Sequence, residues 1–159
     1  MKKTYKDFVK DLIPQVKELF PWDLGEMLGR LDKKEILLLD IREPYEFDSM
    51  KVEGSLNVPR GILEAACDYD YEETLPELVE ARQKTVVVIC RSGNRSVLAA
   101  HTLSQMGFEK VYSLKTGLRG WHESDEPLTD AAGNLISADN GDMYFNKPLS
   151  PEKRTPKQG

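Results

Sequence analysis

Short apolar runs, separated by polar stretches, recur along the chain. Ile36 to Ile41 reads Ile-Leu-Leu-Leu-Asp-Ile, and Thr85 to Ile89 reads Thr-Val-Val-Val-Ile. Apolar runs this short, with no polar alternation, predict strands buried on both faces, as in a parallel sheet. Lys110 to Leu114 predicts another strand, and Leu56-Asn57-Val58 a brief extended segment. Helical signals lie between them. Pro21 to Leu31 carries Asp23 and Glu26 in its first turn and Gly29 near its end. Glu43-Pro44 opens a short helix through Ser49, Gly61 to Ala66 makes a helical turn, and Thr74 to Arg82 reads as a helix. Ser96 to Met106 is apolar around most of its girth and is stopped by Gly107. Gly117 to Glu123 completes the set, with Trp121 expected in the core. Strands alternating with helices predict an open parallel α/β sheet, where ligands bind at the carboxyl ends of strands.

The two ends depart from this rhythm. Tyr5, Phe8, Val9, Leu12, Ile13, Val16, Leu19 and Phe20 recur at helical spacing, and Pro14 starts a second helical segment. This extension, residues 1–20, is either an arm on the main domain of residues 21–128 or a helix pair for homodimerisation or docking. Asp68 to Glu73 is acidic and reads as a solvated loop. In residues 129–159, Asp130 to Gly133 predicts a turn, within a hairpin. The chain is polar from Ala138, and Lys147 to Gly159 holds three prolines and four cations, the pattern of a flexible tail.

Candidate chemistry concentrates in Cys90-Arg91-Ser92-Gly93-Asn94-Arg95-Ser96, where the Thr85–Ile89 run ends and a helical pattern begins. A tight strand-loop-helix turns backbone N–H groups inward at the positive end of a helix dipole, a site for an anion. The first residue of the loop is a cysteine, which becomes such an anion when it ionises. Loop amides and two arginines favour the thiolate, so the loop predicts a reactive sulfur rather than an inert buried cysteine. Asp40, at the end of the other apolar run, is out of character for a core strand and predicts an arginine partner.

Composition narrows the classes. Charged residues are 31% and hydrophobic residues 40%, as in a globular domain, and the net charge of −5 disfavours nucleic acid. No stretch approaches the roughly 18 apolar residues of a membrane span, and Met1 to Lys10 lacks a signal-peptide pattern. Cys67 and Cys90 form no CxxC pair, which suits a reducing cytoplasm. Cys67 is read as an ordinary semi-buried cysteine, with a second sulfur-accepting or disulfide role as the alternative. His101 and His122 have no ligands at suitable spacing, so neither a metal nor another cofactor is expected. Ser92 and Ser96 read as a loop hydrogen-bonder and a helix cap, since no base accompanies them.

The chain from about Pro21 to Leu128 resembles the rhodanese (sulfurtransferase) family through three motifs. They are Leu39-Asp40-Ile41-Arg42-Glu43-Pro44 with Glu46-Phe47 and Gly54 to Pro59; the cysteine loop with Ala99-Ala100 and Leu103 to Phe108; and Val111-Tyr112 to Gly117, closing on Trp121. The resemblance implies a rhodanese-like open parallel sheet with helices on both faces, here with an N-terminal helical extension. It implies Cys90 as a persulfide carrier, with the loop from Arg91 to Ser96 cradling sulfur or a small anionic donor such as thiosulfate. Asp40 would hold Arg95, or another cation of the loop, while Arg42 and Arg91 would meet the donor's charge. The acceptor would be a thiol, cyanide or a sulfur-carrier protein. Met50-Lys51 stands where relatives often have Gly-His, and Thr116-Gly117 where a glycine pair is common.

Two other classes remain open. Cysteine phosphatases and arsenate reductases share this fold but place arginine after five intervening residues, whereas Arg95 follows Cys90 after four. The shorter loop makes a smaller cradle, better suited to one sulfur atom than to a phosphoryl group. A non-catalytic binding module of the same fold would have no need of the cysteine.

Overall fold

The apolar runs fold as expected in a computed structural model that describes residues 2–157. Its sheet has five parallel strands, β1 (Lys17–Leu19), β2 (Ile36–Asp40), β3 (Leu56–Asn57), β4 (Thr85–Ile89) and β5 (Lys110–Leu114). Their spatial order is β1-β5-β4-β2-β3. The two long apolar runs are adjacent, with Leu39 opposite Val88 and Asp40 opposite Ile89. Side-chain alternation divides each run between the two faces. Leu37, Leu39, Val86, Val88 and then Cys90 point into one apolar cluster, and Leu38, Val87 and Ile89 into the other. A strand that must fill both faces has no polar side, which is why these runs read as continuous.

Helices cover both layers. On the Cys90 face lie α4 (Leu63–Ala66), α5 (Pro76–Val79) and α6 (Arg95–Gln105), which bury Leu63, Leu78, Ala99 and Leu103. On the other face lie α2 (Pro21–Arg30), α7 (Gly117–Glu123) and α8 (Ala138–Phe145), which bury Leu24, Trp121 and Phe145. Trp121 is 1% exposed and donates its indole N–H to the Pro127 carbonyl, so the expected core placement holds. Gly107 ends α6 at φ +89°, a conformation that glycine adopts without a Cβ clash.

Three segments differ from the expectation. The helical spacing of the N-terminus is real for α1 (Tyr5–Leu12), capped by Thr4 and packed through Val9 on Val97 and Leu98 of α6. Past Pro14, however, Lys17–Leu19 is a strand, paired with Tyr112 to Leu114. Three residues cannot separate helical from strand periodicity, and the open edge of β5 decides in favour of backbone pairing. The helix expected from Thr74 to Arg82 shrinks to Pro76–Val79. The polar chain from Ala138 is not irregular throughout: α8 forms there, capped by Ser137, with Phe145 3% exposed. Gly141 and Phe145, the two buried residues of eight, are enough for tertiary packing to impose the helix, though too few for a periodic signal. The expected turn at Asp130 to Gly133 is present, beside isolated bridges Lys51–Thr129 and Thr129–Leu135. Part of the expected tail, Gln158 and Gly159, lies outside the described residues.

Candidate active site at the Cys90 loop

Strand β4 ends at Ile89, and the next residue that shares its inward face is Cys90, 1% exposed. The chain then turns through Gly93, at φ +86°, into α6. That turn brings the backbone N–H groups of Gly93 and Ser96 to 3.1 and 3.3 Å from Cys90 Sγ. Asn94, at the N-cap position of α6, makes no side-chain cap bond. The sulfur therefore takes the capping role, receiving N–H groups that the first helical turn leaves without partners. An acceptor at the positive end of a helix is stabilised further when it carries negative charge.

The loop is held from beneath by the third motif. Thr116 adopts φ +66° and Gly117 φ +60°, and the first turn of α7 donates from Leu118 N to the Cys90 carbonyl and from Arg119 N to the Arg91 carbonyl. A Cβ on Gly117 would stand 2.5 Å from the Cys90 carbonyl oxygen, and one on Gly93 2.7 Å from Thr116 N. Gly117, the single glycine at this turn, is thus what lets the loop seat on α7. Behind the sulfur, Ser96 Oγ lies 3.4 Å from Sγ and 2.7 Å from Ser113 Oγ, all three residues buried. Ser96 is accordingly part of a buried hydroxyl pair inside α6 rather than a cap. Ser113, in β5, carries no mark in the sequence that would single it out.

The charges are arranged differently from the expectation. Asp40 does not hold Arg95. It pairs with Arg42, two residues along, through contacts of 2.8 to 3.1 Å, and both side chains are fully buried. Arg42 also donates to the carbonyls of Glu46, in the first turn of α3 (Pro44–Ser49), and of Met50, its C-cap. Sealed in this way, Arg42 has no access to a donor anion; its guanidinium pins α3 to the end of β2. That position in turn aims Glu46, which the sequence places in the first motif but gives no role, at Arg95. The two join in a fork-to-fork pair at 2.8 and 2.9 Å. Burial pushes the Glu46 carboxyl up, but the Arg95 hydrogen bonds, the Glu43 N–H and the nearby positive charge outweigh it and leave it below its ordinary value. The Glu46 hydrogen bond in turn raises Arg95, which stays charged.

Arg91 turns from the loop toward the end of α8. It donates to the Tyr144 and Phe145 carbonyls at 3.3 Å and lies 5.7 Å from both ring centroids. Ser92 and Asn94 are exposed at the rim. Tyr5, from α1, reaches the same neighbourhood: its phenol is raised first by partial burial, then by the negative charge that Cys90 can carry, against Arg95 and Arg60. Cys67 stands apart, fully buried, its thiol pushed up to about 11 mainly by burial. His122 is 2.8 Å from Asp142 and ties α7 to α8, in keeping with a structural role. Among the described residues no cluster of metal-ligating side chains occurs, and no helix is long and apolar enough to cross a membrane.

Comparison with known proteins agrees with this geometry. The rhodanese-like domain model matches residues 23–124. An adenylyltransferase and sulfurtransferase of Aspergillus fumigatus is 31% identical over 130 residues, covering 71% of this chain and 26% of that protein. The chain thus spans about a quarter of that relative's length. Among solved structures, a polysulfide-sulfur transferase homodimer from Wolinella succinogenes is 29% identical, with a TM-score of 0.60 over 79% of this chain and 87% of that one. A protein of unknown function from Rhodopseudomonas palustris, named as a possible tyrosine phosphatase, is 27% identical, with a TM-score of 0.68 over 80% and 95% of the two chains. The chain belongs to the rhodanese-like family.

Proposed function

We propose that Cys90 carries sulfur as a persulfide, taking it from thiosulfate or another persulfide and passing it to a thiophilic acceptor. The observation that carries this reading is the convergence of the Gly93 and Ser96 N–H groups on Cys90 Sγ at the head of α6. In the first step the thiolate attacks the outer sulfur of thiosulfate; a Cys90–sulfur bond forms and sulfite departs with the electron pair of the broken sulfur–sulfur bond. The terminal sulfur of the persulfide then carries the negative charge. The N–H groups of Ser92 and Asn94, without protein acceptors among the described residues, supply preorganised donors for that charge. In the second step an acceptor nucleophile attacks the terminal sulfur, and the Cys90 thiolate leaves. Asp40 and Arg42 act at a distance, by fixing α3 and through it Glu46 and Arg95.

The phosphatase reading, which rests on the shared fold and on one neighbour's name, meets a specific obstacle. Arg95, the arginine such chemistry needs over a phosphoryl group, has both terminal nitrogens on Glu46. The deciding experiment is intact-protein mass spectrometry after incubation with thiosulfate. A gain of one sulfur mass in the wild type, absent in Cys90→Ser, is the expected result. No gain, together with hydrolysis of an aryl phosphate, would replace this reading with the second.

A further inference from the structure

Beside the Cys90 loop lies an open groove of about 980 Å³, with Arg91 and Glu46 on its loop side and Tyr45 on α3. Eight of its twelve lining residues lie at Tyr144 or beyond, past the end of the family match at residue 124. The groove is therefore a feature added by this chain's C-terminal segment, not part of the shared domain. Four cations, Arg91, Arg119, Lys147 and Lys153, face a single carboxylate there, in a chain whose net charge is −5. That carboxylate, Glu46, is already engaged by Arg95. Lys147 and Lys153 make no ion pair among the described residues. Arg91 and Arg119 hold the wall in place, both donating to the Phe145 carbonyl at the end of α8.

This volume is at the upper end of the roughly 300–1,000 Å³ typical of small-molecule sites. Thiosulfate needs far less, since the loop amides alone can surround it. An open cationic groove that borders the Cys90 loop at Arg91 suits a compact polyanion whose thiol arm extends toward the loop while its charged body stays in the groove. We infer that this groove binds the body of a low-molecular-weight thiol bearing several phosphate or carboxylate groups, which is the sulfur acceptor. The inference rests on the sulfur-transfer reading above. The acceptor thiolate attacks the terminal sulfur of the Cys90 persulfide; the new sulfur–sulfur bond forms on the acceptor, the Cys90 sulfur leaves with the electron pair, and the acceptor thiol's proton goes to solvent. The product is the acceptor's persulfide anion.

Coenzyme A and pantetheine test this, because they share one thiol arm and differ in the phosphorylated body. With persulfide-loaded protein, coenzyme A should accept sulfur with a kcat/KM at least tenfold above pantetheine. In Lys147→Glu/Lys153→Glu that ratio should fall to within twofold. Acetyl coenzyme A, which has the anionic body and no free thiol, should bind the unloaded wild type measurably in calorimetry and at least tenfold more weakly to the variant. Equal rates for the two thiols, or binding of acetyl coenzyme A that is absent or indifferent to the two lysines, would overturn the inference. Failure of Cys90 to load sulfur, with binding retained, would instead remove the reaction and leave the polyanion site standing.

Discussion

Cys67 and Cys90 pack into the same apolar cluster at 0% and 1% exposure, and they differ in what the backbone does around them. Cys67 follows a four-residue helix, α4, and its own N–H is spent on the Glu64 carbonyl. Arg82, the cation nearest to it, donates to the Cys67 carbonyl and to Asp68 rather than to the sulfur. Burial wins there, and the thiol rises to about 11. At Cys90 the chain doubles back, so that two backbone N–H groups of the following loop and helix meet the sulfur. Burial removes water from both sites, but only the second replaces it with fixed donors. Depth in the core thus says little about a cysteine's chemistry; the direction of the neighbouring peptides says much more.

The largest predicted effect is on the two thiols themselves. At pH 8 a thiol near 11 is only about 0.1% ionised, so Cys67 should resist iodoacetamide until the protein unfolds. Cys90 should be alkylated at least about 100-fold faster under the same conditions. Peptide-level mass spectrometry over time measures both rates. Comparable rates would mean that the amides around Cys90 do not hold a thiolate, and the contrast between the two sites would collapse.

A smaller effect should come from disturbing the seat of the loop without touching the sulfur. Gly117→Ala places a Cβ at 2.5 Å from the Cys90 carbonyl oxygen, against the rigid backbone of Cys90 and Arg91. Because φ is +60° there as well, about 1–3 kcal/mol of strain must be relieved by moving the loop or α7. Sulfur transfer should fall about 10- to 100-fold and the denaturation midpoint should drop. Gly54→Ala is the matched comparison, since Gly54 has φ +85° but a Cβ there would meet nothing within 4 Å. It should lose about 1 kcal/mol of stability and keep its transfer rate. Equal loss of activity in both would show that backbone strain alone, not the contact with the Cys90 loop, is responsible.

The uneven legibility of the chain follows the same physics. The Ile36–Ile41 and Thr85–Ile89 runs announce themselves because a parallel strand buried on both faces is apolar along nearly all its length, and the cysteine loop because its residues are contiguous. Fold class, the α6 helix and the position of Cys90 were accordingly readable. Asp40 invited an arginine partner, but sequence cannot choose among Arg42, Arg91 and Arg95, since the choice depends on where α3 sits. Glu46 has a local partner in the Glu43 N–H, but its pairing with Arg95 spans 49 residues and that of Ser113 with Ser96 spans 17, so neither role is written locally. The strand at Lys17–Leu19 and the helix at Ala138–Phe145 exist because an edge and a face elsewhere were available to them.

The smallest effect, and the one with a pH signature, concerns the pair that flanks each cysteine. Glu46–Arg95 beside Cys90 is 8% and 30% exposed, whereas Asp68–Arg82 beside Cys67 is 52% and 29% exposed. Partial exposure of Arg95 screens the first pair, so Glu46→Gln should cost about 1 kcal/mol, and Asp68→Asn at the surface closer to about 0–0.5 kcal/mol. The Glu46 carboxyl is lowered in the folded protein from a reference near 4.5, so its contribution is complete above that reference and is lost as pH falls through the folded value. The stability difference between wild type and Glu46→Gln should therefore be flat from pH 6 to 8 and shrink below about pH 4.5. Urea denaturation at a series of pH values checks this. A gap that widens on acidification would show that Glu46 is held above its reference value and that its pairing with Arg95 is not the dominant contact. Freed from Glu46, Arg95 should also lose its fixed place beside the loop, lowering transfer a few-fold. Asp68→Asn should leave transfer unchanged, because nothing links Arg82 to the sulfur of Cys90.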